Sequence, residues 1–185
     1  MVGNVIHTME NPANNLIKFL FEWLEAVSQA IVFVVFALAF IFRIVNIDGW
    51  SMLHTLRDQD KVFVCKFSYI PKRNDVVVIA KGPHLNVPII KRVIAVEGDS
   101  LEVDYATGNV IVNGEVLDEP YIAERMVRKP KAEIPKIIPQ DHVFVMGDDR
   151  NYSTDSNDFG AISVKYVIGK ASYIIFPFYR IGRIR

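Results

Sequence analysis

The N-terminal part of the chain contains one long apolar run whose polar residues lie near its ends. Within residues 27–45 the polar side chains are Ser28, Gln29 and Arg43. At the rise of an α-helix this run spans about 28 Å, close to the hydrocarbon thickness of a bilayer. We therefore predict a transmembrane anchor over residues 27–45. Residues 1–26 are predicted to be a tail with an amphipathic lead-in at the membrane surface.

Two other interpretations of the apolar run remain open. Its uninterrupted part, from Ala30 to Phe42, could belong to a cleaved signal peptide. The preceding tail, however, carries one lysine against three glutamates, whereas signal peptides begin with a basic region. A buried helix of a soluble protein is the second alternative, and the length of the run argues against it. Charge alone does not fix the orientation of the anchor, because a long translocated domain is insensitive to the positive-inside bias.

Beyond residue 46 the apolar residues occur in short runs separated by turn signals, a pattern typical of β-strands. Tight turns are indicated by Thr107-Gly108-Asn109 and by Asn113-Gly114. No second helix is predicted. Seven runs are strand candidates: 62–67, 76–80, 89–96, 101–103, 110–112, 143–146 and 173–176. We predict a mainly β fold, a distorted β-barrel or sandwich.

The β-rich domain is predicted to span residues 46–185. One part of it, around residues 104–140, is predicted to leave the main fold as an excursion. Between Arg125 and Pro139 the chain is basic and contains three prolines. Such a segment is typical of an extended excursion or a flexible loop, and its charges are predicted to be solvated.

Composition and charge exclude several classes of function. The formal net charge is zero, so nothing in the charge favours nucleic acid as a partner. The single cysteine, Cys65, cannot form an intramolecular disulfide, and the four histidines are scattered without metal-ligand spacing. We therefore expect no metal and no cofactor.

Candidate chemistry lies at Ser51, shortly after the apolar run, and at Lys91, inside the apolar run 89–96. A free lysine has a pKa of about 10.4 and is protonated at neutral pH, so it cannot act as a base. Desolvation among apolar residues lowers that pKa, and the neutral amine could then accept a proton from a serine hydroxyl. Taken singly, Ser51 is an ordinary turn residue and Lys91 an ordinary strand residue. The polar run 146–160, taken singly, is an Asx-rich loop.

Together and in this order, these segments resemble the bacterial type I signal peptidases, membrane-bound Ser–Lys proteases that remove signal peptides from exported proteins. The short chain and Gly49 look most like the compact Gram-positive members. The motifs that carry the resemblance are Gly49-x-Ser51-Met52-x-x-Thr55-Leu56, Asp60-Lys61-Val62, Asn74-Asp75-Val76-Val77, Lys91-Arg92-Val93 with Gly98-Asp99, and Gly147-Asp148-x-Arg150-x-x-Ser153-x-Asp155-Ser156.

The resemblance implies a role for each of these residues. Ser51 would be the nucleophile, Lys91 the general base, and Ser153 the residue that holds the amine by a hydrogen bond. The Ser51 backbone N–H would stabilise the oxyanion; Gly49 lacks the hydroxyl that some relatives add there. Structural members of the site would be Arg92, Asp148 and Asp155, with Asp148 paired to Arg92. Pockets for small substrate residues, as in Ala-x-Ala sites, would be lined by Ile47, Met52, Leu56 and Ile90.

The resemblance also implies partners and location. The partners would be preproteins that carry signal peptides, together with the lipid bilayer. The protein would cross the cell membrane once, with its catalytic domain on the extracytoplasmic side. Trp50 fits either a membrane interface or ordinary packing.

Two positions depart from the family pattern. His54 replaces the usual proline of the nucleophile motif and is expected to be a solvent-facing loop residue. Asn157 replaces an arginine that in relatives pairs with the aspartate equivalent to Asp155. We therefore expect Asp155 to pair with Arg92 or Arg150 instead.

Two other functions are weighed against a signal peptidase. A self-cleaving transcriptional repressor would also use a Ser–Lys dyad, but the predicted anchor and the lack of a recognisable DNA-binding module argue against it. A catalytically weak homologue that acts as an assembly or binding factor for surface proteins or pili is the non-enzymatic alternative. The joint presence of Ser51, Lys91 and Ser153 argues against that alternative.

Overall fold

A computed structural model describes residues 12–66, 69–83 and 85–184, and it divides into a helical unit up to Phe40 and a unit from Ile41 onward. The helical unit is formed by α1 (Pro12–Ile41). Proline suits the first turn of a helix, where its missing N–H would have no partner. Among the described residues, one helical stretch, Asn15–Ile41, is long and apolar enough to cross a membrane. Its apolar side chains are exposed, whereas a core helix of a soluble protein would bury them.

The limits of this helix differ from those of the predicted anchor. Helix α1 continues through the residues predicted as a surface lead-in, and it ends at Ile41. The next five residues form strand β1 (Phe42–Asn46), which pairs antiparallel with β2 (Lys61–Cys65). Hydropathy could not locate this boundary, because apolar residues such as Ile44 and Val45 continue the apolar pattern whether the backbone is helical or extended.

The second unit is mainly β, which confirms the predicted fold class. Its large sheet has eight strands within the described residues, in the order β1-β2-β10-β3-β4-β8-β9, with β11 paired to β10. Its small sheet has the order β5-β6-β7. The remaining strands of the large sheet are β3 (Val76–Ile79), β4 (Ile89–Val96), β8 (His142–Met146), β9 (Ile162–Ser163), β10 (Val167–Phe176) and β11 (Gly182–Arg183). The small sheet contains β5 (Leu101–Asp104), β6 (Asn109–Val112) and β7 (Glu115–Val116).

Short helical elements lie between the late strands, although no second helix was predicted. A four-residue helix, α2 (Ser156–Phe159), follows β8, and two 3-10 turns span Val164–Tyr166 and Phe178–Arg180. Helix α2 begins with a capping box between Asp155 and Asp158. Its four residues are too few to show the helical periodicity on which the prediction relied.

Of the five basic residues between Arg125 and Pro139, four are exposed as predicted, whereas Arg128 is partly buried and the excursion also packs against the domain. Residues 117–139 contain no regular helix or strand. Met126 and Ile138 are nevertheless fully buried in a core cluster with residues of β4, β6 and β8. Burial of these two side chains outweighs the composition of the segment, and it brings the excursion beside the loop that follows β8.

Candidate active site

Ser51 lies in the turn between β1 and β2. The base of this turn is closed where the Ile47 N–H donates to the Asp60 carbonyl at 2.8 Å. Gly49 has a φ of +99°, a conformation that favours glycine, and its N–H donates to the Asp58 carboxylate at 2.8 Å. These backbone contacts fix the position of Ser51 relative to the sheet.

Lys91 lies on β4, where its side chain is only 3% exposed. Its Nζ donates to Ser51 Oγ at 2.6 Å and to the Ile90 carbonyl at 2.9 Å. Burial lowers the pKa of the Lys91 amine from 10.5 to about 8, although the carboxylates of Asp155 and Asp148 act in the opposite direction. The structure therefore brings together the hydroxyl and the amine that the sequence singled out.

The next residue of β4, Arg92, forms a buried ion pair with Asp148. Strand register explains the contact, since Arg92 lies opposite Met146 on β8 and Asp148 follows two residues later. The guanidinium makes two hydrogen bonds to the carboxylate, at 2.8 and 2.7 Å. The Thr55 hydroxyl also donates to Asp148, which ties the Ser51 turn to this pair.

Gly147 allows the loop after β8 to approach the Ser51 turn. A Cβ at this position would lie 2.3 Å from Ser153 Oγ and 2.5 Å from the Ser51 carbonyl oxygen, so a larger residue would force the two segments apart. The Asp149 N–H donates to the same Ser51 carbonyl at 3.1 Å. Sequence reasoning included Gly147 in a motif but gave it no role.

The hydrogen bond predicted between Ser153 and the Lys91 amine is not formed in the structure. Ser153 Oγ is buried and has no hydrogen-bond partner among the described residues. The Lys91 Nζ donates to the Ile90 carbonyl and to Ser51 instead. A main-chain carbonyl thus provides the contact that the resemblance assigned to a side chain.

Asp155 is fully buried, and the groups that donate hydrogen bonds to its side chain are neutral amides. Its carboxylate accepts from the Gly147 N–H at 3.0 Å, from the Asn157 N–H at 3.0 Å and from the Asn157 side-chain amide at 2.8 Å. Asn157 therefore supports Asp155 by hydrogen bonds, although it cannot supply the charge of an arginine.

The expectation that Asp155 pairs with Arg92 or Arg150 was wrong. Arg92 is bound to Asp148, and Arg150 pairs with Glu119. The cation that the structure brings to Asp155 is Arg128, whose Nη2 lies 3.8 Å from the carboxylate.

The four residues predicted to line substrate pockets occupy one region of the fold. Ile47, Met52 and Leu56 are buried in a single core cluster, and Ile90 packs against it.

A separate cavity of about 640 Å³ adjoins the Ser51 turn. Its lining includes Trp50 and His54 from the turn and Phe176, Pro177 and Tyr179 from the end of β10. His54 is exposed, as expected for a loop residue.

Sequence reasoning missed three contributors to the site. Thr55 was part of a quoted motif, and its position in a turn beside Ser51 was the available signal. Tyr121, whose ring centroid lies 3.9 Å from the Arg92 guanidinium carbon, and Arg128 both belong to the excursion. No local pattern distinguishes those two from surface residues, because their partners are remote in sequence.

The fold and the site define a class: a mainly β domain that follows a candidate membrane helix and carries a buried amine against a serine hydroxyl. Residues 20–176 match the profile of the family described as "Signal peptidase, peptidase S26". The chain belongs to this family, and the resemblance seen in the sequence is confirmed.

Two individual relatives agree with the family match. A signal peptidase I of Bacillus licheniformis is 34% identical over 94% of this chain and 98% of its own length. Signal peptidase IB of Staphylococcus aureus is 34% identical over 87% of this chain and 92% of its own length. A solved signal peptidase I structure from Enterococcus faecalis overlaps 56% of this chain and 98% of its own, at 24% identity and a TM-score of 0.49.

Proposed function

We propose that this chain removes N-terminal signal peptides from exported preproteins by means of a Ser51–Lys91 dyad. The observation that carries the proposal is the 2.6 Å contact between the buried Lys91 Nζ and Ser51 Oγ. With a pKa of about 8, a substantial fraction of the amine is neutral at mildly alkaline pH and can act as a base.

The chemistry follows from this contact. The neutral Lys91 amine accepts the proton of the Ser51 hydroxyl while Ser51 Oγ attacks the scissile carbonyl. The resulting ammonium gives that proton to the departing amine, and an acyl-enzyme ester remains on Ser51. Lys91 then deprotonates a water molecule, which hydrolyses the ester. The Ser51 backbone N–H stabilises the oxyanion in both steps.

The remaining roles complete the proposal. Arg92, Asp148 and Asp155 hold the loop after β8 against the Ser51 turn. An extended substrate places small residues at the first and third positions before the cut, beside the cluster that contains Ile47, Met52, Leu56 and Ile90. Larger side chains clash there, which accounts for a preference for Ala-x-Ala sites.

The proposed arrangement in the cell follows from the candidate span. Residues 15–41 cross the cell membrane once, and the domain from residue 42 onward carries the site on the extracytoplasmic side, where exported preproteins emerge.

Cleavage of a preprotein tests the proposed function. The full chain in detergent is expected to cut a preprotein with an Ala-x-Ala site so that the mature product begins directly after the second alanine, as read by mass spectrometry. The matched control substrate carries tryptophan in place of that second alanine and is expected to stay intact. An uncut first substrate would contradict the proposal and favour a binding factor.

A further inference from the structure

Arg128 reaches from the excursion to three points of the loop that follows β8. Its guanidinium Nη1 bonds to Asp158 at 2.7 Å, and its Nη2 donates to the Ser153 carbonyl at 2.9 Å. The same Nη2 lies 3.8 Å from the Asp155 carboxylate. One side chain therefore contacts Ser153 in the loop, the N-cap residue Asp155 and Asp158 within α2.

The backbone around Arg128 is fixed by further contacts to the same region. The Lys131 and Ala132 N–H groups both donate to the Asn157 carbonyl, at 2.7 and 3.0 Å. The Val127 N–H donates to the Asn151 side chain at 3.0 Å. The main chain is therefore held on both sides of residue 128, which restricts where the Arg128 side chain can reach.

Charge explains why a cation is needed at this position. Asp155 is fully buried, and the groups that hydrogen-bond to it are neutral amides. A buried carboxylate without an opposite charge is costly. Asp148, the other carboxylate that acts on Lys91, is already paired with Arg92. Arg128 is the cation that faces Asp155, at 3.8 Å, although its own hydrogen bonds go to Asp158 and to the Ser153 carbonyl.

We propose that Arg128 is a positioning residue of the site, which holds the Ser153–Asp155 segment in place and offsets the negative charge of Asp155 near Lys91. This inference rests on the proposed Ser51–Lys91 function and adds a residue to it. It assigns to the excursion the charge that position 157 does not supply.

The charged surroundings fix the direction of the expected effect. The carboxylates that act on Lys91 are Asp155 and Asp148, and an arginine faces each of them, Arg128 and Arg92 respectively. On the outer side, Arg128 pairs with Asp158, which also binds Lys131, and Tyr105 acts on Arg128 electrostatically. Loss of the Arg128 charge leaves Asp155 uncompensated, so Lys91 should hold its proton to higher pH.

The pH dependence of kcat/KM tests the inference in the full chain with an acetylated peptide substrate free of His, Cys and Lys. The acidic limb of wild type is expected near pH 8. In Arg128→Gln its midpoint should move up by about half a unit to one unit, so that kcat/KM at pH 7 falls about three- to tenfold. Arg128→Lys keeps the charge and should bring the midpoint back toward that of wild type.

Two further variants sharpen the test. Arg125→Gln removes the same charge from an exposed arginine of the same segment, and its midpoint should equal that of wild type. Asp155→Asn removes the carboxylate itself, so its midpoint should fall below that of wild type. This variant tests the premise that Asp155 acts on Lys91, and an unchanged midpoint would remove the basis for the role of Arg128 even where Arg128→Gln does not fold.

The outcomes separate this inference from the proposed function. Wild-type cleavage that depends on Ser51, with an unchanged midpoint in Arg128→Gln or Asp155→Asn, would overturn the role of Arg128 alone. So would a loss in Arg128→Gln that is uniform across pH, because that pattern indicates a structural defect. Absence of Ser51-dependent cleavage in wild type would overturn the proposed function first.

Discussion

Lys91→Met is expected to lower kcat/KM for preprotein cleavage by about a thousandfold or more, and Ser51→Ala by at least as much. Methionine fills the space of the lysine stem but has no basic nitrogen, so the Ser51 hydroxyl loses the group that accepts its proton. The Ser51 variant lacks the attacking oxygen itself. Both rates are measured with the Ala-x-Ala preprotein at pH 9, where the wild-type amine is largely neutral.

Unfolding measurements separate lost chemistry from lost structure. Because burial disfavours the charged amine, Lys91→Met should unfold at a temperature equal to or above that of wild type at pH 7. Lys81→Ala, at an exposed lysine, serves as the matched control and should keep its full rate. Retention of more than a few per cent of the wild-type rate in Lys91→Met would show that another group is the base.

Asp148→Ala is expected to lower the free energy of unfolding by about 3–5 kcal/mol, the largest effect on stability that the site predicts. The variant leaves the Arg92 guanidinium buried without its carboxylate, and it removes the partner of the Thr55 hydroxyl. Chemical denaturation of the detergent-solubilised protein measures the change. Asp118→Ala, an exposed aspartate, is the control and should change stability by less than about 0.5 kcal/mol.

A double variant shows whether the effect comes from an unpaired buried charge. Arg92→Met combined with Asp148→Leu removes both charges. The loss of unfolding free energy in this double variant should be smaller than the sum of the losses in Arg92→Met alone and in Asp148→Leu alone. Strict additivity, or a loss below about 1 kcal/mol in Asp148→Ala, would mean that the pair contributes little to the fold.

Much of the fold was predictable because its strands are short apolar runs between turn residues. The runs at residues 76–80, 89–96 and 143–146 correspond to β3, β4 and β8, the three adjacent strands that carry or flank Lys91. Strand β1 was not predicted, because its residues extend the apolar run of α1. Only pairing with β2, a contact remote in sequence, shows that residues 42–46 are extended.

The candidate site was predictable where residues lie in motifs and not where they depend on tertiary contacts. Ser51 and Lys91 meet as the motifs implied. The orientation of Ser153 and the partner of Asp155 depend on how the loop after β8 folds. The role of Arg128 was not predictable from the sequence, because its neighbourhood has the composition of a solvated loop and only tertiary contacts, such as the burial of Met126, bring it inward.

The central claim is that a neutral, buried Lys91 deprotonates Ser51, and the wild-type pH profile of kcat/KM tests it most directly. With a peptide substrate that has no titrating groups, kcat/KM should rise with pH and level off, with a midpoint near pH 8. Below that midpoint the amine carries a proton and cannot act as a base. A midpoint near about 6.5, the range of an ordinary histidine such as His54, or a flat profile from pH 6 to 10, would contradict the account.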